Sequence, residues 1–157
     1  MIQQGQSLPS ATLSELTAEG MQTHDIPALF ANKKVVLFAV PGAFTPTCSE
    51  SHLPGFVVKA DEIKAKGVDM IACVSVNDAF VMQAWGETQN ANQIHMLADG
   101  DASFTKALGL EMDSGKFGGV RSQRYAMIIE NGTVTQLNVE PPKSFDVSSA
   151  EAVLKQL

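Results

Sequence analysis

Residues 35–48 read Val35-Val36-Leu37-Phe38-Ala39-Val40-Pro41-Gly42-Ala43-Phe44-Thr45-Pro46-Thr47-Cys48. The unbroken apolar run at 35–40, closed by Pro41-Gly42, predicts a strand buried on both faces. Pro46 suits the first turn of a helix, where its missing N–H is one the helix leaves unpaired. Thr45 fits the N-cap, where its hydroxyl can accept a hydrogen bond from a free backbone N–H. The stretch therefore predicts a strand, a tight loop and a helix carrying Cys48 in its first turn. A thiol there faces the positive end of the helix dipole and loses its proton more readily, and the thiolate is the nucleophile. Cys48 is a candidate reactive cysteine from its position alone.

Working outward, the helix is expected over residues 46–66, with Gly67 as its stop and Pro54-Gly55 kinking or interrupting it. Residues 11–16 read as an extended stretch and 70–76 as a second buried strand. Asn77-Asp78 offers a cap for a helix over 79–90. A short strand at 95–98 and a helix at 102–108 come next, followed by a glycine-rich loop at 111–119. Asn131-Gly132 lies between two strand-like runs, 125–130 and 133–139, and supplies the positive-φ pair of a type I′ hairpin turn. Residues 148–157 read as a closing helix, with Ser148 and Glu151 spaced as a capping box. Strand-helix-strand-helix followed by a hairpin and a helix predicts an α/β fold of thioredoxin-like type, a central mixed sheet flanked by helices.

The 157 residues suit a single domain spanning 1–157. A net charge of −6 with no basic stripe argues against nucleic acid or an anionic membrane as partner. No apolar run approaches the ~20 residues of a membrane span. The N-terminal residues Met1-Ile2-Gln3-Gln4-Gly5 lack a basic-then-apolar leader pattern. Two cysteines make no disulfide framework. A cytoplasmic setting is the expectation.

Cys48 alone does not choose a reaction. His52, four residues on, shares its helical face; it reads as a structural or interface residue of the helix and leaves a cysteine hydrolase open as the alternative. A metal site would need two further ligands, and none stands at suitable spacing. Ser51 occupies the position where a Cys-x-x-Cys motif would place its second thiol. Cys73 sits among Met70-Ile71-Ala72 and Val74, as a small hydrophobe of a core strand.

Pro41, Thr45 and Cys48 together spell Pro-x-x-x-Thr-x-x-Cys, and the chain resembles the peroxiredoxins. The run 41–49 followed by His52-Leu53-Pro54-Gly55-Phe56 is most similar to the peroxiredoxin-5, or type II, subfamily. The similarity continues through residues 74–78 with Trp85, 97–100, 121–126 and 137–141. It implies a thiol-dependent peroxidase acting on hydrogen peroxide and small alkyl hydroperoxides, without metal, haem or flavin, as a homodimer. It implies Cys48 as the attacking thiolate, Thr45 as the hydroxyl beside it, Pro41 as its shield and Arg124 as the cation that holds thiolate and peroxide. Arg121 is the competing arginine. Some subfamily members carry a further cysteine near the C-terminal end; here none follows Cys73. An external thiol is then expected to resolve the sulfenic acid: glutathione, glutaredoxin or thioredoxin. A redox sensor that is oxidised at Cys48 without turnover is the non-enzymatic alternative.

Overall fold

The computed structural model describes residues 1–157. The chain opens with a hairpin of β1 (Thr12–Thr17) and β2 (Gly20–Asp25), a short helix α1 (Ile26–Phe30) and β3 (Lys34–Ala39). A π turn at Cys48–His52 runs into α2 (Leu53–Ala65), followed by β4 (Met70–Ser75), α3 (Ala79–Thr88), β5 (Ile94–Ala98) and α4 (Ser103–Leu108). A small ribbon of β6 (Glu111–Asp113) and β7 (Val120–Ser122) precedes the hairpin β8 (Tyr125–Glu130) and β9 (Thr133–Val139), and α5 (Ala150–Leu154) closes the chain. Seven strands form one sheet in the order β2-β1-β5-β4-β3-β8-β9. β3 and β4 pair in parallel, as do β4 and β5, whereas β3 and β8 are antiparallel. This is the expected thioredoxin-like architecture with a central mixed sheet.

Burial on both faces explains the apolar runs. In β3, Val36 and Phe38 join one core and Val35, Leu37 and Ala39 the other. In β4, Ile71 and Cys73 face the first core, and Met70, Ala72 and Val74 face the second. The period-2 alternation divides residues that are apolar at every position. The first core is roofed by α2, α3 and α5, whose Phe56, Met82, Trp85 and Val153 lie in it beside Cys48.

Several elements depart from the sequence expectation. β2 carries one strongly apolar residue, Met21, which is exposed, and it pairs only with β1. Such an edge strand leaves no hydrophobic signature. Residues 111–119 are not all loop, because Glu111–Asp113 pairs with Val120–Ser122 through backbone bonds between largely exposed residues. The closing helix is shorter than expected, and its cap is Ser149, whose hydroxyl accepts from the Ala152 N–H. Other features match their local chemistry. Gly67 stops the long helix at φ +91°, and Asn131 and Gly132 both take positive φ in the hairpin turn. Asp78 caps α3 by accepting from the Val81 N–H.

Candidate active site

The loop between β3 and the first helical turn is held from beneath. The Asn77 side-chain oxygen Oδ1 accepts from the Ala43 N–H at 3.0 Å and from the Ser75 hydroxyl at 2.6 Å. Phe44 adopts φ +65°, a left-handed conformation that costs a non-glycine residue of order 1–3 kcal/mol and clusters at functional sites. The helix starts at Pro46, as expected. Thr45, however, does not cap it through its side chain. Its hydroxyl donates to the Gly42 carbonyl at 2.6 Å and tightens the loop instead.

Cys48 opens the π turn. Its carbonyl accepts from the Leu53 N–H, five residues on, whereas the Thr45 carbonyl accepts from the Ser49 N–H in ordinary α fashion. Pro54 has no N–H for the Glu50 carbonyl, so α pairing must fail just there. The interruption expected at Pro54 thus takes the form of a widened turn upstream of it, and such turns concentrate at functional sites. The Trp85 indole N–H, from α3, donates to the Ser49 hydroxyl at 3.0 Å and braces the turn.

Arg124, between β7 and β8, reaches across the sheet to this turn. Its Nη2 donates to Cys48 Sγ at 3.1 Å and its Nη1 to His52 Nδ1 at 2.8 Å. A guanidinium only donates, so Nδ1 must be the bare nitrogen of His52. Nε2 then carries the proton and donates to the Ser148 carbonyl at 2.9 Å. Burial, with the Arg124 charge beside it, holds the His52 pKa down to about 3, so the ring is neutral. Both ring nitrogens are engaged away from the sulfur, so His52 is not placed as the base of a cysteine hydrolase. Phe145 completes the support. Its ring centroid lies 5.1 Å from that of His52 and 5.9 Å from the Arg124 guanidinium carbon.

Cys48 is fully buried. A cleft of about 740 Å³ leads toward it, lined by Pro41, Thr47, Arg124 and the 140–145 segment among others. Arg124 both lines this cleft and touches Sγ, so it stands between the opening and the sulfur. Thr45 contributes no hydrogen bond to Sγ in this arrangement. Arg121 points elsewhere: its Nε donates to the Gly118 carbonyl at 2.9 Å and its Nη1 to the Val76 carbonyl at 2.6 Å. Cys73 is fully enclosed between β3 and β5, where burial, with Cys48 nearby, pushes its thiol pKa up. Both thiols are free.

Of the four residues expected at the site, the structure joins Cys48 to Arg124, sets Pro41 on the cleft wall and places Thr45 in the loop between. His52, Phe145 and Ser148 were not expected around Arg124. The i+4 spacing of His52 from Cys48 places the two on one helical face and says nothing of Arg124.

The Redoxin family model matches residues 3–154. A chloroplastic peroxiredoxin-2E-2 of Oryza sativa subsp. japonica is 55% identical over 160 residues, covering 98% of this chain and 71% of that protein. The crystal structure of reduced Prx3 in complex with hydrogen peroxide from Vibrio vulnificus shares 74% identity, with a TM-score of 0.98 over 99% of each chain. Oxidized Prx3 from the same organism shares 75% identity, with a TM-score of 0.94 over the whole of both chains.

Proposed function

The chain belongs to the peroxiredoxins, thiol-dependent peroxidases of the Redoxin family, and from that premise we propose that Cys48 is its peroxidatic residue and Arg124 its activating cation. The 3.1 Å contact between Nη2 and Sγ carries this reading. A charge-assisted hydrogen bond to sulfur favours the thiolate. The thiolate lone pair attacks one peroxide oxygen; the S–O bond forms as the O–O bond breaks. Sulfur is oxidised to sulfenic acid, and the departing oxygen takes a proton and leaves as water or alcohol. Negative charge grows on that oxygen in the transition state, and the guanidinium in the cleft wall is positioned to offset it. Thr45 orients the loop and offers its hydroxyl oxygen toward the incoming peroxide, and Pro41 screens the sulfur from bulk water.

Hydrogen peroxide and small alkyl hydroperoxides are the proposed substrates. The absence of any cysteine after Cys73, and the enclosure of Cys73 in the sheet, support resolution by an external thiol: glutathione, with or without glutaredoxin, or thioredoxin. That thiol attacks the sulfenic sulfur, releases water and leaves a mixed disulfide, which a second thiol reduces. Burial of Cys48 requires the turn to open for this step, and the irregular pairing at Cys48–His52 is the weak point at which it can. Residues 1–157 are proposed to act as one domain, cytoplasmic and, as the resemblance to the peroxiredoxins implies, homodimeric.

Peroxide consumption with glutathione plus glutaredoxin, run against thioredoxin plus its reductase, tests the reductant. Intact-mass analysis should show one glutathione adduct, at Cys48. A Cys48–Cys73 disulfide as the first product would overturn the one-cysteine mechanism.

A further inference from the structure

Glu140 stands directly opposite Arg124. Val139 pairs with Tyr125 in the β8–β9 ladder, and the Glu140 N–H donates to the Arg124 carbonyl at 2.9 Å. Residues facing each other across antiparallel strands project to the same side. A glutamate beside the arginine that holds the reactive sulfur should pair with it, and such a pair would compete with Cys48 for the guanidinium. No ion pair forms between them.

The carboxylate is committed elsewhere. Its Oε2 accepts from the Asp146 N–H at 2.6 Å, the Ser148 N–H at 2.8 Å and the Ser148 hydroxyl at 2.7 Å. Its Oε1 is buried without a partner. Burial alone would raise the carboxyl pKa, yet these donors outweigh it and keep the pKa below the ordinary value. Three donors on one oxygen fold the 141–148 segment back over the site. That segment delivers the Ser148 carbonyl to His52 Nε2 and the Phe145 ring to the Arg124 guanidinium. With Nε2 donating, Nδ1 is left bare to accept Arg124 Nη1, and Nη2 is left for Cys48 Sγ.

We propose that Glu140 is a positioning residue of the peroxidase reaction, acting through Ser148 and His52 to hold Arg124 against Cys48. The inference rests on the reading of Arg124 and Cys48 as the reacting pair. Glu140 touches neither sulfur nor peroxide; it keeps its own charge off Arg124 and fixes the two groups that aim Arg124.

The test compares two reactions of Cys48, with hydrogen peroxide and with iodoacetamide, followed by stopped flow using the single tryptophan, Trp85, as reporter. Both reactions need the thiolate, but only the peroxide has a leaving oxygen for Arg124 to stabilise. Glu140→Ala should slow the peroxide reaction about 10-fold, since a misplaced group near the reacting atoms costs up to about 10²-fold. Alkylation, which senses Arg124 only through the thiolate it favours, should slow by a clearly smaller factor than the peroxide reaction. Glu140→Gln keeps an acceptor oxygen and should restore the peroxide rate to within about 2-fold. In an Arg124→Gln background Glu140→Ala should be silent, because coupled residues are not additive.

An unchanged peroxide rate in Glu140→Ala overturns the proposal. So does an equal loss in both reactions, a Glu140→Gln protein as slow as Glu140→Ala, or an undiminished effect without Arg124. If Glu140→Ala does not fold, Ser148→Ala replaces it. That change removes one donor and keeps the carbonyl, and it should slow the peroxide reaction by about 3-fold and alkylation by less, a modest fraction of the same misplacement effect. A wild-type rate there counts against the proposal equally. Arg124→Gln with a normal peroxide rate would instead remove the reading on which the proposal stands, whatever Glu140 does.

Discussion

Replacing His52 with Gln should remove a specific part of the protein's acid sensitivity. His52 is buried with its pKa lowered from 6.5 to about 3, by burial first and by the Arg124 charge second. The unfolded chain therefore binds a proton that the folded one refuses. The stability contributed by neutral His52 is full above about pH 6.5 and drains as pH falls, until the folded ring itself protonates near 3. Linkage between those two values gives a loss of about 2 kcal/mol on going from pH 7.5 to 5.0. For a chain of this length that is a drop of roughly 4–8 °C in melting temperature. Glu15 and Glu140 do not intrude on this window. Their carboxyl pKa values lie below 4.5 because hydrogen bonds outweigh burial, so their contributions fade only in more acid solution. Contributions from groups other than residue 52 are common to both proteins and cancel. Gln can offer one acceptor to Arg124 and one donor to Ser148, and it does not titrate. Urea unfolding of wild type and His52→Gln at the two pH values measures the difference directly. Equal losses in the two proteins would show that His52 is not held neutral between Arg124 and Ser148, and the assigned tautomer would be wrong.

Cys48→Ser should abolish peroxidase turnover while Cys73→Ser keeps most of it, read by peroxide consumption with external thiol. Arg124→Gln should slow the peroxide reaction about 10²-fold or more, the scale of losing one oxyanion-type donor. Arg121→Gln should change that rate only a few-fold but cost about 1–2 kcal/mol in urea unfolding, because two carbonyl bonds are lost; exchanged effects would reverse the assignment of the two arginines. Gly86→Ala gains about 1 kcal/mol of helix propensity. A Cβ there would lie 2.7 Å from Met96 Cγ, and overpacking of about 1–3 kcal/mol should leave the variant less stable by calorimetry.

What could be read in advance follows from how far each signal travels along the chain. β3, β4, the Asp78 cap and the Asn131-Gly132 turn depend on residues within a few positions of one another, and local pattern suffices for them. β2 depends on β1 for its sheet pairing and buries almost nothing itself, so its own residues say little. Ser148 illustrates the ambiguity that remains even locally. Its spacing from Glu151 fits a helix cap, but its hydroxyl and N–H go to Glu140, and Ser149 caps the helix in its place.

The site itself is non-local by construction. Arg124 lies 76 residues from Cys48, and only the family resemblance nominated it over Arg121. The sequence left a base role for His52 open beside a structural one, because it shows the distance from the cysteine and not the other partners. Its two hydrogen bonds come from 72 and 96 residues away, and together they determine which nitrogen carries the proton. Helical spacing specifies that two side chains share a face; it does not specify which of several neighbours a ring nitrogen will meet. With Arg124 on one nitrogen and the Ser148 carbonyl on the other, the reading of His52 shifts from a group that could take a proton from the thiol to one that must stay unprotonated so that the arginine can serve the sulfur.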